Sequence, residues 1–173
     1  MKISKPEPGT YPAYYEPYIS IVKGEDLMQE LLTEHYDTID LITSIDLETQ
    51  HYRYAEGKWN VKEVVQHIMD AERVFAYRAL CIARGEQQSL PGYDDMAYVL
   101  ASGASERNIN DMAREFSVLR ASTIELFKSF SATMLEQTGM ANKMQISVKA
   151  LLFITLGHEM HHRKIIEDRY LPK

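Results

Sequence analysis

The sequence predicts an all-α fold, a bundle of four long helices forming one domain over residues 1–173. Three observations predict it. Four stretches place apolar residues at three- and four-residue spacings, capping or stop residues bound them, and no stretch sustains the period-two alternation of a strand. A chain of 173 residues also fits a single core, which typically serves roughly 100 to 200 residues.

Residues 1–24 form the expected extended lead-in. Four of the six prolines fall between Ser4 and Tyr18, a density no helix sustains, with Tyr11, Tyr14, Tyr15 and Tyr18 interleaved. Surface packing is the expected role of these tyrosines, ahead of a place across a groove of the bundle. The first helix is expected from Glu25 to about Ile45, with Leu27, Met28, Leu31, Leu32, His35, Ile39 and Ile42 along it. Asn60, followed three residues later by Glu63, is a capping-box pair that starts a second helix, and Gly85 ends it.

Leu90-Pro91-Gly92-Tyr93-Asp94 is turn chemistry, followed by a short helical piece over Met96 to Ala101 that Ser102-Gly103 terminates. The connection is longer than adjacent antiparallel helices need. A third helix runs from about Asn108 or Asn110 to Phe130. After a loop around Gly139 to Gln145, Ser147 caps a fourth that reaches about Tyr170.

Composition excludes several classes of partner. The formal charge is −6 and the isoelectric point is near 5.5, with no block of Lys and Arg to attract a phosphate backbone, so no nucleic acid partner is expected. No window reaches the roughly 18 uncharged apolar residues of a spanning helix, and the Met1-Lys2-Ile3-Ser4 start lacks the apolar stretch of a secretory signal. A cytoplasmic protein with no membrane association is the expectation. A single cysteine, Cys81, rules out an internal disulfide and a thiolate-rich zinc site, leaving His and carboxylates for any metal chemistry. Eleven tyrosines and nine methionines on a chain of this size lead to an expected homodimer.

The six histidines are the residues that point to chemistry. His158 and His162 are i and i+4 on the fourth helix, roughly 40° apart around its axis and about 6 Å along it. They share a face with Val148, Leu151, Thr155, Ile165 and Ile166, so two imidazoles are carried inward on an apolar stripe, which is costly unless something satisfies them. His67 lies beside Val64, Ala71 and Val74 near the buried stripe of the second helix. Three imidazoles facing one core form a donor set for a divalent transition metal: zinc or nickel first, iron or manganese next. A position is left open for water or a small-molecule substrate.

His161 is turned to the other side of His158 and reads as a flanking residue. Cys81 is fourteen residues beyond His67, about 21 Å along the helix, too far for the same ion. His35 reads as a bundle-face residue and His51 as a loop residue. Asp70, Glu63 and Glu159 lie near the ligands in sequence, with a solvated face as the simpler role for each.

Two stretches resemble the DinB superfamily. They are Trp59-Asn60-Val61-Lys62-Glu63-Val64-Val65-Gln66-His67-Ile68-Met69-Asp70-Ala71-Glu72-Arg73 and Gly157-His158-Glu159-Met160-His161-His162, with Ala83-Arg84-Gly85 and Leu90-Pro91-Gly92-Tyr93-Asp94 between them. The resemblance implies a four-helix bundle of DinB-like topology, with a long connection between helices 2 and 3. It also implies dimers and a metal held by His67, His158 and His162. Some relatives are metal-dependent transferases using a low-molecular-weight thiol, so the expected activity is transfer of such a thiol, or of activated water, to a small electrophile. A metal with an open site lowers the pKa of bound water to about 7 and deprotonates a bound thiol. Glu159 is the carboxylate expected to take the proton, and the loop from Gly85 to Asp94 is expected to cover the opening.

Other readings stay open. His158-Glu159-Met160-His161-His162 satisfies the H-E-x-x-H pattern of zinc hydrolases, although no third His follows in the remaining eleven residues. A ferritin-like di-iron site needs a second E-x-x-H, and the second helix has Glu63 to His67, one residue too long. A metal that merely fastens two helices of a non-catalytic interaction or stress protein is the third.

Overall fold

The computed structural model describes residues 3–24 and 26–171. In chain order its elements are a 3-10 turn at Ala13–Tyr15, α1 (Glu16–Ile21), α2 (Leu27–Ser44), α3 (Leu47–His51), α4 (Val61–Ala83), α5 (Asp95–Ala101), a second 3-10 turn at Ala104–Glu106, α6 (Ile109–Lys128), α7 (Ala132–Leu135), β1 (Thr138–Ala141), β2 (Met144–Ser147) and α8 (Val148–Arg169). The long helices α2, α4, α6 and α8 are the predicted four. Glu25, the predicted start of the first, lies outside the described residues, as do residues 1, 2, 172 and 173 of the predicted domain.

Each long helix begins on a side chain that accepts from an otherwise unpaired N–H. Asp26 accepts from the Gln29 amide at 3.3 Å, Asn108 from Asn110 at 2.9 Å and Ser147 from Ala150 at 3.1 Å. The capping box at Asn60 is complete: Asn60 accepts from the Glu63 amide and Glu63 accepts from the Asn60 amide, both at 2.9 Å. Gly85 ends α4 at φ +86°, in the left-handed region that glycine enters without a steric penalty.

Around the bundle, α2 packs against α6 and α8, and α4 packs against the same two. The two long helices that are consecutive in sequence, α2 and α4, therefore lie across the ring from one another. Buried residues form two apolar clusters. One includes Leu31, Phe75, Phe127 and Phe153, the other Ile42, Ile68, Met112, Phe116 and Ile166. Between them on each helix comes a polar residue: His35, Glu72, Arg120 and Glu159, all buried. Arg120 of α6 spans this layer. It meets Glu72 of α4 at 2.7 Å, Glu159 of α8 at 2.7 Å and the Leu31 carbonyl of α2 at 2.9 Å.

Three local expectations are corrected. The N-terminal segment is not extended throughout, because Pro17 falls in the first turn of α1, the one helical position where proline is tolerated. The stretch from Gly139 to Gln145 is a β-hairpin rather than a loop. Ala141 pairs with Met144 around Asn142 and Lys143, whose φ values of 50° and 62° are those of a tight primed turn. Finally, α8 is buried on every side from Val148 to Glu159, not along one stripe, because α1 covers the face that the bundle leaves open. Among the described residues no helix is long and apolar enough to cross a membrane.

Candidate metal centre

His67 sits two turns into α4, and His158 and His162 lie one turn apart on α8, the helix against which α4 packs. The pairing brings His67 Nε2 to 3.0 Å from His158 Nε2. One ligand atom from each of the three imidazoles lies within 4.8 Å of the others, the one such cluster among the described residues. His67 and His158 are buried, and His162 is partly so.

Burial is the main influence on all three rings, since a charged imidazolium loses its hydration there. It lowers the pKa of His67, with the Asp95 carboxylate opposing. It drives His158 well down, helped by repulsion from His162, His67 and His161. His162 falls to about 3 by burial and by repulsion from His67 and His161. At neutral pH the three rings are uncharged, the form in which imidazole nitrogens bind metal. Three neutral nitrogen donors converging with no carboxylate among them fit zinc, nickel, copper or iron and are poorly suited to magnesium or calcium.

A cleft of about 380 Å³ opens over the triad. Its walls come from four parts of the chain: Tyr14, Tyr15 and Tyr18 from the N-terminal segment, Trp59, Phe75 and Arg78 from α4 and its lead-in, Gly92, Tyr93 and Asp95 from the long connection, and Asn142 from the hairpin turn. The Trp59 ring is 4.7 Å from that of His67, and Tyr18 and Phe75 approach His158 edge-on at 5.4 and 5.8 Å. Burial raises the pKa of Tyr15, Tyr18 and Tyr93, the last to about 12, so their hydroxyls keep their protons and can donate to a ligand. The connection is held in place by Leu90, which donates to Met140 and accepts from Asn142, both at 2.9 Å.

The sequence-predicted residues divide cleanly. His67, His158 and His162 come together as expected. The loop from Gly85 to Asp94, expected to cover the opening, contributes Gly92 and Tyr93 to the lining of the cleft. Glu159 does not join the site. One residue past His158 is a turn of about 100° around α8, which aims its carboxylate at Arg120, 2.7 Å away, in the middle of the bundle. Burial there raises its pKa, against the pull of Arg120.

His161 lies outside the cluster, 5.2 Å from the Tyr18 ring. Glu63 is engaged by Arg53, and Asp70 accepts from Gln66 at 2.9 Å. His35 lies buried on the inner face of the bundle and bonds Ser117 at 3.1 Å. His51 closes α3, 3.2 Å from Lys62 Nζ. The tyrosines, expected on the surface, are split. Tyr14, Tyr15 and Tyr18 join the cleft wall, and Tyr11 and Tyr15 are buried.

Sequence reasoning missed Asp95, Arg78, Trp59 and Asn142 as lining residues. Spacing held a signal for one of them: Arg78 follows His67 by eleven residues, close to three full turns on the same face. No comparable signal marks Asn142, which a hairpin delivers from across the fold.

A family model described as the DinB superfamily matches residues 30–166. Among solved structures the fold is similar to YfiT from Bacillus subtilis, described as a probable metal-dependent hydrolase with an unusual four-helix bundle topology. The TM-score is 0.72 at 16% identity, covering 95% of this chain and 90% of that one. No curated protein matches.

Proposed function

The chain belongs to the DinB superfamily, and from that premise we propose that it is a metal-dependent transferase. In this reading His67, His158 and His162 hold one divalent transition ion, zinc or nickel, and a low-molecular-weight thiol or water is added to a small electrophile in the cleft. The observation that carries this reading is the convergence of three neutral imidazoles at the floor of a cleft open to solvent. A site that only fastened helices would be closed by a fourth protein ligand. When bound, the ion supplies Lewis acidity that makes a coordinated water or thiol nucleophilic near neutral pH.

The chain's own residues supply the rest. Trp59, Phe75 and Tyr18 place aromatic surface against the imidazoles. Protonated Tyr15 and Tyr93 offer hydroxyl donors to a substrate oxygen. Asp95 is the carboxylate that lines the cleft, close enough to His67 to oppose the fall of its pKa, and is the group offered here to take a proton. An H-E-x-x-H peptidase mechanism needs the Glu as base beside the metal ligands, and Glu159 is committed to Arg120 instead. The description of YfiT supports the water arm of the reading.

The test is a screen of metal-loaded protein with glutathione, bacillithiol, mycothiol or water against a panel of electrophiles. Turnover that vanishes in His67→Ala and falls in Asp95→Asn is expected. Silence in every combination, from protein carrying one ion per chain, would refute it. Self-association is part of the same reading: Leu100 and Val118 stand 88% and 72% exposed, and sedimentation equilibrium is expected to give a dimer.

A further inference from the structure

Arg78 is buried, 4% exposed, yet among the described residues no carboxylate lies within ion-pair distance of it. Arg53, Arg73, Arg107, Arg114, Arg120 and Arg163 each have an acidic partner. Among the described residues, Arg78 and Lys62 are the buried cations without an acidic partner; Lys62 is bonded to His51 and the Ser105 carbonyl away from the cleft, which leaves Arg78 as the one that lines it. It donates from Nη2 to the Pro91 carbonyl at 2.8 Å and lies 5.9 Å from the Tyr93 ring centroid. A guanidinium has five N–H donors in a planar fork, so most of that capacity remains. The guanidinium lines the same cleft as the three imidazoles, so its free donors face a ligand there, and a charged donor pair binds an anion more strongly than a neutral one.

Its position along α4 gives the site a length. Eleven residues after His67 place Arg78 on the same face, roughly 16 Å further along the axis by the helical rise. Helical side chains lean toward the N-terminus, which brings the guanidinium back toward the triad. Tyr15, Tyr93 and Asn142 line the cleft with it and add neutral donors. Asp95 lines the cleft too, but beyond 4.0 Å from Arg78, and so does not fill the role.

We infer that Arg78 is an oxyanion-binding subsite: the cleft takes a small molecule whose reactive end meets His67, His158 and His162 and whose carboxylate or phosphate is held by Arg78. The inference deepens the proposed function by naming an acidic substrate, and it rests on that reading for what happens at the imidazole end. Both the thiol and the electrophile can carry such an acid group.

Trp59, the one tryptophan, lines the cleft and reports binding by its fluorescence. Two ladders of probes serve on the metal-loaded protein: straight-chain mercaptoalkanoic acids against their amides, and straight-chain dicarboxylates against their diamides. In the wild type the acids should bind at least about tenfold tighter than the amides at an optimum length, as a charge-assisted bidentate contact supplies. Arg78→Met, which keeps the buried stem, should abolish the preference and the optimum, and Arg78→Lys should keep part of it.

A preference confined to the mercapto acids assigns the acid to the thiol, and one shared by dicarboxylates assigns it to the second substrate. Equal binding of acids and amides by wild type, or an acid preference surviving in Arg78→Met, overturns the subsite. Metal content separates the two proposals. One ion per chain with no role for Arg78 removes the subsite alone. Absence of metal with an Arg78-dependent preference for dicarboxylates removes the metal reading and leaves the subsite.

Discussion

His158 lies 3.0 Å from His67 and one turn before His162, while His161 faces Tyr18. Removing a residue that merely orients a metal ligand typically costs 10- to 100-fold in affinity, so His67→Ala, His158→Ala and His162→Ala should each weaken nickel binding by more than about a hundredfold. His161→Ala should stay within a few fold. Quenching of Trp59, whose ring is 4.7 Å from that of His67, measures it. Equal losses for all four variants would mean that ligation extends beyond the observed cluster.

His35 belongs to the same scale but to stability. Burial and then Arg120 lower its pKa to about 4, with Glu72 opposing. The folded state therefore binds a proton less readily than the unfolded one, whose histidine titrates near 6.5. The stability involved is fully present above pH 6.5, is lost as pH falls from 6.5 to 4, and changes no further below that. In His35→Gln this loss should shrink by on the order of 2 kcal/mol after discounting for solvent screening. Urea unfolding of both proteins at pH 7 and pH 4.5 gives the difference; parallel losses would show that His35 stays out of the linkage.

Among the elements, α1 is held to α8 by the absence of a side chain. A methyl group added at Gly157 would collide with the backbone carbonyl of Tyr18, and a backbone atom cannot rotate away. Alanine favours a helix by about 1 kcal/mol over glycine, but overpacking of this kind costs about 1 to 3 kcal/mol. Gly157→Ala should therefore lower thermal stability while α8 itself stays helical. Limited proteolysis should cut first between the 3-10 turn and α1. A variant at least as stable as wild type, with an uncut N-terminal segment, would show that the contact is not tight.

This element also marks where the sequence stopped being readable. The four long helices were legible because capping at Asn60 and Ser147 and the apolar spacing in α2 and α6 are local signals. So were the three histidines, since a four-residue spacing on one helix is a local fact. That Glu159 would leave the histidine face was readable from its 100° offset; that α1 would form, that α8 would be enclosed all round and that Arg120 would be what Glu159 meets depend on contacts between distant segments, which no spacing encodes. The hairpin was missed because its strands are four residues each and its turn is Asn-Lys rather than Asn-Gly.

For the whole molecule, Arg120 joins all four long helices: it is carried by α6 and meets Glu72, Glu159 and the Leu31 carbonyl. Two buried carboxylates depend on one cation. Arg120→Met strands both and should cost about 3 to 5 kcal/mol, the usual result of breaking a buried ion pair from one side. Adding Glu72→Gln and Glu159→Gln removes the stranded charges and should recover most of that loss. Chemical denaturation of the single and triple variants measures it, and a triple variant no more stable than Arg120→Met would show that the layer acts through packing rather than charge.

The seating of Tyr18 on Gly157 also imposes an order in time. The two residues are roughly 140 positions apart, and at 5 to 20 residues per second a ribosome needs about seven to thirty seconds to pass from one to the other. Through that interval Ile19 and Val22, both buried in the finished protein, lack the α8 surface against which α1 packs. The cleft wall that carries Tyr14, Tyr15 and Tyr18 can close only after α8 has emerged, so the segment made first is among the last to be seated.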